Sequence, residues 1–246
     1  MNQPLLSIVI PAFNEASRLP ATLESIDRFL KTQPYEAEVI VVENGSQDRT
    51  LEIAQEFSTQ HPTFIAIHEN QRGKGLAVRT GMLAAKGSYR FICDADLSMP
   101  IEEVNQFIPP MRDNFDIAIA SREAPGAIRY NEPAYRHLVG RLFNTVVRLA
   151  ILPGLQDTQC GFKCFRGEVA DELFRLQTIP GWTFDVEVLY IAHRRKMRII
   201  EVGIPWYFNS ESKVNVFRDL KQVGRDLLTI WRNVRKGAYD APFRSR

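Results

Sequence analysis

Short, mostly apolar runs recur through the first half of the chain, at residues 5–10, 38–42, 64–67, 89–93 and 117–120. Between them the apolar positions spread to the helical period. Leu19, Leu23, Ile26 and Leu30 mark a segment opening at Ser17. Leu51, Ala54 and Phe57 mark one opening at Ser46 and Asp48, and a third runs across 76–85. A strand that is apolar throughout is buried on both faces, so such runs alternating with amphipathic helices predict an α/β fold, its mostly parallel central sheet covered by helices on both faces. After residue 130 the rhythm changes. Residues 134–152 read as one helix carrying Arg136, Arg141 and Arg148, 154–161 as a loop, and 184–193 as a helix. Residues 198–202 and 205–208 read as short strands, and 216–235 as a long amphipathic helix. No linker or repeat divides the chain, which predicts one domain over 1–212 and a basic amphipathic helix and tail over 213–246.

Composition narrows the class without changing this outline. The chain has 246 residues, 45% apolar and 24% charged, enough to bury one substantial core. Three cysteines form no even framework, and Cys93 lies inside an apolar strand, so a reducing compartment is expected. Cys160 and Cys164 have no neighbouring cysteine or histidine to complete a zinc site. The opening Met-Asn-Gln-Pro lacks the basic start of a signal peptide. No apolar run nears the ~20 residues that span a bilayer. The expectation is a cytoplasmic protein, soluble or peripheral on a membrane. The net charge of +2 hides an asymmetry: from Lys213 onward nine basic residues face three acidic ones. A basic tail on a slightly acidic body suggests an anionic surface as partner.

In a parallel sheet, ligands bind beyond the carboxyl ends of the strands, so the strand-exit loops carry the candidate chemistry. The fourth run ends in Asp94-Ala95-Asp96. Side chains two apart in a strand share a side, so both carboxylates would meet a divalent cation that bridges to substrate phosphates. Alone, a pair of this kind is more often a solvated turn. Arg72-Gly73-Lys74-Gly75 offers flexible backbone and positive charge at a helix start, or simply a tight turn. Glu43-Asn44-Gly45-Ser46 offers groups for a base edge, or an Asn-Gly turn with a serine cap. Asn14-Glu15 has the same two readings. What weighs against turns alone is that all of them fall on one edge of the sheet. GxGxxG and GxxxxGK[ST] are both absent, which disfavours dehydrogenase and P-loop readings. No recognised nucleic-acid motif is present.

These residues resemble a known family, the inverting GT-A glycosyltransferases of family 2. The pattern runs through Ser7–Glu15, Val41–Thr50, Asn70–Gly75 and Asp94–Asp96. Within the family, Asp157–Lys163, Trp182–Glu187 and Glu211–Lys213 are similar to segments of the dolichyl-phosphate β-glucosyltransferases. The resemblance implies a GT-A fold, a UDP-sugar donor, a polyprenyl-phosphate acceptor, and Mg²⁺ or Mn²⁺ as cofactor. It implies that Pro11, Ala12, Asn14, Glu15 and Glu43 hold the uridine, beside the Asn44 amide already read as suited to a base edge, and that Asp94 and Asp96 address the pyrophosphate through the metal. Arg122, Lys213 and Arg141 would bind phosphates near the transfer point. Two positions depart from the pattern. Glu43-Asn44 replaces a frequent pair of aspartates, and Ser98 stands where related mannosyltransferases carry a glutamine ligand.

The expected chemistry follows. A metal on Asp94 and Asp96, with Lys74 or Arg122 nearby, would stabilise the departing diphosphate. A phosphate acceptor, its second pKa near ~6, attacks without a base, oriented by Lys213 and Arg141. A hydroxyl acceptor needs a carboxylate base, for which Asp185 and Glu187 are the candidates, although both also suit a helix N-terminus. In the terminal helix Phe217, Leu220, Leu227, Leu228, Trp231 and Val234 alternate with basic residues, which suits either a membrane interface or packing on the domain. The reading is transfer of glucose, or a related hexose, from UDP to a polyprenyl phosphate at the cytoplasmic membrane face. The rivals are the same fold acting on a soluble or glycan hydroxyl, and a non-enzymatic nucleotide-sugar-binding module on a membrane. A sugar-nucleotide pyrophosphorylase is disfavoured because the first strand lacks its Gly-rich loop.

Overall fold

A computed structural model of the chain describes residues 3–208 and 216–241. The strands and helices follow in the order β1 (Leu6–Ala12), α1 (Leu19–Leu30), β2 (Ala37–Glu43), α2 (Thr50–Gln60), β3 (Phe64–His68), α3 (Lys74–Ala84) and β4 (Tyr89–Ile92). A 3₁₀ turn at Ile101–Phe107 leads to β5 (Ile117–Ser121), β6 (Ile128–Tyr130) and α4 (Ala134–Ala150). The chain continues through β7 (Lys163–Arg166), α5 (Gly167–Leu176), α6 (Phe184–Arg194), β8 (Ile199–Gly203), β9 (Pro205–Tyr207) and α7 (Val216–Arg235).

Seven strands form one sheet in the order β3-β2-β1-β4-β7-β5-β8, and β6 and β9 pair as a separate parallel ribbon. Only β7 runs antiparallel to its neighbours. The central strands alternate between two cores. Leu6, Ile8 and Ile10 pack with Leu19, Leu23 and Ile26 of α1 and with Val104 and Phe107. Val9, Ile40 and Val42 face Ala77, Val78 and Met82 of α3 on the other side, joined by residues of α5, α6 and Ile230 of α7. Full burial of each such side chain is worth ~1.5–3 kcal/mol, so both layers hold the sheet rigid beneath its exit loops.

The apolar pattern places the first five strands to within two residues. Three elements go unread by it: β6, β7 and α5. β7 is the instructive one, because Lys163-Cys-Phe-Arg166 is bounded by cations that apolar counting rejects, yet Lys163 is only 1% exposed. Ser17 proves not to start α1, which begins at Leu19 after Arg18, with proline in its first turn. The acidic loop leads into the 3₁₀ turn, which carries Glu102 and Glu103 in its first turn.

Candidate active site

All parallel strands end on one edge of the sheet. Because β7 is antiparallel, it begins there, with Lys163 in register with Ile92 of β4. Topology alone therefore brings Glu43, the Asp94–Asp96 loop, Arg122 and Lys163 to a common edge.

β4 stops at Ile92, so strand alternation is not what brings the two aspartates together. They sit in the following loop, which Leu97 turns through a left-handed φ of 44° and which Asp96 braces by accepting the Ser98 N–H at 3.0 Å. Asp94 Oδ1 lies 2.6 Å from Lys74 Nζ at the start of α3. Burial works to raise the Asp94 carboxyl, but Lys74, with Lys163 and Arg18 beyond, brings it below the usual carboxylate range. Asp96 is raised, first by burial and then by the charge of Asp94. Gly161 has a specific reason to be glycine: a Cβ there would stand 2.0 Å from Asp94 Oδ2. The loop before β7 thus presses directly on the acidic pair.

Two further ion pairs surround it. Lys163 reaches Asp185 Oδ1 at 2.8 Å and donates to the Cys160 carbonyl. Burial raises the Asp185 carboxyl against the pull of Lys163 and Lys74. Arg122, at the exit of β5, donates through Nε at 2.7 Å and a terminal nitrogen at 2.9 Å to the two oxygens of fully buried Asp157, whose Oδ2 also receives the Arg122 backbone N–H. Against the cost of burial, that fork holds the Asp157 carboxyl far below the carboxylate range. Trp206 lies under the guanidinium, 5.3 Å from its ring centre. Asp94, Asp96, Asp157 and Asp185 thus face Lys74, Lys163 and Arg122, and Arg18, whose charge also reaches the acidic pair, is itself matched by Glu15, which leaves one carboxylate in excess.

That excess is the test of fit for a divalent cation, and the residues pass it. Two adjacent carboxylates share one lysine, and the strain of like charge falls on Asp96. Among the described residues no group of three or more His, Cys, Asp or Glu side chains is arranged to hold a metal. A cation on Asp94 and Asp96 would therefore draw its other ligands from water and substrate phosphate, as Mg²⁺ commonly does.

At the other end of the edge, the first two exit loops are laced together. Asn14, at a left-handed φ of 53°, donates its N–H to Ser46 Oγ at 2.9 Å and accepts the Gln47 N–H at 2.8 Å. Glu15 N–H reaches Thr50 Oγ1 at 2.8 Å, and Ala16 N–H reaches Asp48 at 3.1 Å. Pro11 and Ala12 close β1 beside Val42 and Glu43. Arg72 stacks 4.3 Å over Phe13.

Several sequence expectations change here. Glu43 does not offer an open carboxylate: it is 2% exposed, accepts the Ser46 N–H, and lies 2.6 Å from His68 Nδ1. Asn44 is buried beside it. The backbone that Gly73 and Gly75 admit is protein, since a Cβ at either would strike the carbonyl of Pro180 or Ile179, and Gly75 N–H donates to Pro180. Glu187 is not a base. It is fully buried and accepts Thr178 N–H, Ile179 N–H, the Thr178 hydroxyl and the Tyr239 hydroxyl. Arg122 is committed to Asp157 rather than standing open as a phosphate clamp. Arg141 is exposed on α4, one turn before Asn144, which donates to Asp157. Lys213 lies outside the described residues. Sequence reasoning assigned no role to Asp157, Gly161, Lys163, Trp182 and Trp206, although the first four lie in or at the ends of the motif segments quoted for the resemblance.

The model of the family described as "Glycosyl transferase family 2" matches residues 7–174, well over half of the chain. The chain belongs to this family. It is a glycosyltransferase with the GT-A arrangement. Among its relatives, a dolichyl-phosphate beta-glucosyltransferase of Drosophila melanogaster is 36% identical over 95% of this chain and 76% of the relative. The Homo sapiens protein of the same name is 33% identical over 95% of this chain and 77% of the relative. Among solved structures, glucosyl-3-phosphoglycerate synthase of Mycobacterium tuberculosis shares the fold with a TM-score of 0.64 at 18% identity, over 97% of this chain and 81% of that one. That structure was solved with Mn²⁺, UDP-glucose and phosphoglyceric acid.

Proposed function

We propose that this family 2 glycosyltransferase moves glucose from UDP-glucose to a polyprenyl phosphate of the dolichyl type, with inversion at the anomeric carbon. The names of the relatives support the donor sugar and the lipid. One observation about the chain favours a phosphate over a hydroxyl acceptor: neither candidate base is available. Glu187 is locked in four hydrogen bonds and Asp185 is buried against Lys163. A phosphate monoester is largely dianionic at neutral pH and needs no base.

Under this reading Pro11, Ala12, Asn14, Glu15, Glu43 and Asn44 shape the uridine end, the last two through the loop they brace. Asp94 and Asp96 hold Mg²⁺ or Mn²⁺, which supplies Lewis-acid stabilisation of the leaving diphosphate when bound. Lys74 adds positive charge beside it. Arg122, kept charged and oriented by Asp157, borders the acceptor side with Arg141, and Lys213 is assigned the same acceptor phosphate from the sequence resemblance. The reaction would take place at the cytoplasmic surface of a membrane, contacted through α7, where Leu228 and Trp231 stand exposed among Arg225, Arg232 and Arg235.

A donor panel of UDP-glucose, UDP-N-acetylglucosamine and GDP-mannose against a short polyprenyl phosphate, with Mg²⁺ and with Mn²⁺, tests this directly. UDP release from UDP-glucose only when the lipid phosphate is present is expected, and Asp96→Ala should abolish it. Turnover of GDP-mannose alone would overturn the donor assignment, and equal turnover with a soluble sugar would overturn the acceptor.

A further inference from the structure

Asp94 is held on two sides. Lys74 Nζ stands 2.6 Å from Oδ1, while Oδ2 lies against Gly161 so closely that a Cβ there would come within 2.0 Å. Lys74 is itself enclosed: its side chain is 14% exposed, and its ammonium sits 4.5 Å from the centre of the Trp182 ring. The residues that frame it are fixed. Gly75 N–H donates to Pro180, two residues before Trp182, and Gln177 Nε2 bonds the Gly75 and Ile179 carbonyls. Asp96, by contrast, has no lysine or arginine paired with it among the described residues.

We propose that Lys74 is a tethered counter-ion occupying the divalent cation's place on Asp94, so that metal binding to this carboxylate and departure of Lys74 are one event. The ammonium and a doubly charged ion cannot share the same few ångströms of a half-buried site without strong repulsion. Asp96, which is bonded to Ser98 but has no ion-paired lysine or arginine among the described residues, is the landing point, and Asp94 joins once Lys74 leaves. Without metal, the lysine keeps two half-buried aspartates from repelling each other apart. With metal, it becomes a free positive charge next to the donor's phosphates. Trp182 lies against the ammonium and reports its position. Lys74's role rests on the family reading of the acidic pair, but it is measurable without donor or acceptor. A failure here leaves the sugar and lipid assignments standing, and a failed transfer assay leaves this titration intact.

Mn²⁺ binding to the full chain, followed by the electron paramagnetic resonance signal of the free ion with no nucleotide present, supplies the first arm. Lys74→Met is expected to bind Mn²⁺ about tenfold or more tightly than wild type, which corresponds to ~1.4 kcal/mol per factor of ten. Lys74→Arg should stay near the wild-type affinity. The second arm needs no lysine variant and so survives any failure of Lys74→Met to fold. Mg²⁺ titration of wild type should change tryptophan emission, and Trp182→Phe should remove that change. Unchanged or weaker Mn²⁺ affinity in a folded Lys74→Met protein would overturn the proposal. So would Mg²⁺ saturation with no Trp182-dependent signal, since the metal would then sit on Asp96 while Lys74 stays in place.

Discussion

Single residues at this site are constrained by atoms that neighbours in sequence do not reveal. Gly161 illustrates it. In sequence it is one glycine within the Asp157–Lys163 segment with no role of its own, but in space it lets the loop before β7 close on Asp94. Gly161→Ala is expected to displace the Asp94 carboxylate by the better part of an ångström and to lower kcat about 10²-fold with little change in Tm. Steady-state kinetics beside thermal melts would show it, and near-wild-type kcat would mean Asp94 tolerates the shift. Glu43 and Glu187 teach the converse. Each is a carboxylate in a motif-bearing stretch, and each turns out to be occupied by hydrogen bonds to the protein. Residue type and spacing identified them as candidates. Only their partners could say whether they face a substrate, because a buried carboxylate with bonded oxygens has little left to offer one.

At the level of elements, the Asp157 loop ties β5, α4 and β8 together. Asp157 binds Arg122 at the end of β5, receives Asn144 of α4 at 3.3 Å, and its N–H donates to Glu201 of β8 at 3.0 Å. Folding depresses its pKa, so the sign is clear: its contribution is fully present above the unfolded value of about 3.9 and is lost as pH falls toward the folded one. Asp157→Asn should lower stability at pH 7 by ~3 kcal/mol, since it leaves a largely enclosed Arg122 without its counter-charge. It should also flatten the acid limb of a Tm-versus-pH profile. A variant that keeps the full wild-type acid limb would show that the depressed Asp157 is not what that limb reports. The element that pattern reading misses, β7, matters for the same reason. Its Lys163 is buried because Asp185 of α6 compensates it, and no count of apolar positions can anticipate a cation in mid-sheet that depends on a residue 22 positions away.

For the whole molecule, α7 is the element through which the proposed membrane contact would be made. Its inner face packs on the domain through Val223 and Ile230, and Asn233 reaches Thr178. Packing and membrane contact are therefore compatible, because Leu228 and Trp231 remain about half exposed. Leu228→Asp combined with Trp231→Asp should reduce co-sedimentation with vesicles containing anionic lipid severalfold while leaving Tm nearly unchanged. Undiminished vesicle binding would move the contact elsewhere on the surface. Among the described residues no helix is long and apolar enough to cross a membrane. The sequence by itself determined the parallel sheet, the edge on which the loops gather, and the acidic pair, because these follow from local periodicity and from short motifs carried on single turns. The tertiary structure decided which charges are partnered. Lys74 with Asp94, Lys163 with Asp185 and Arg122 with Asp157 each join residues 20 or more apart, and whether a buried charge is free to act depends on what folding sets beside it.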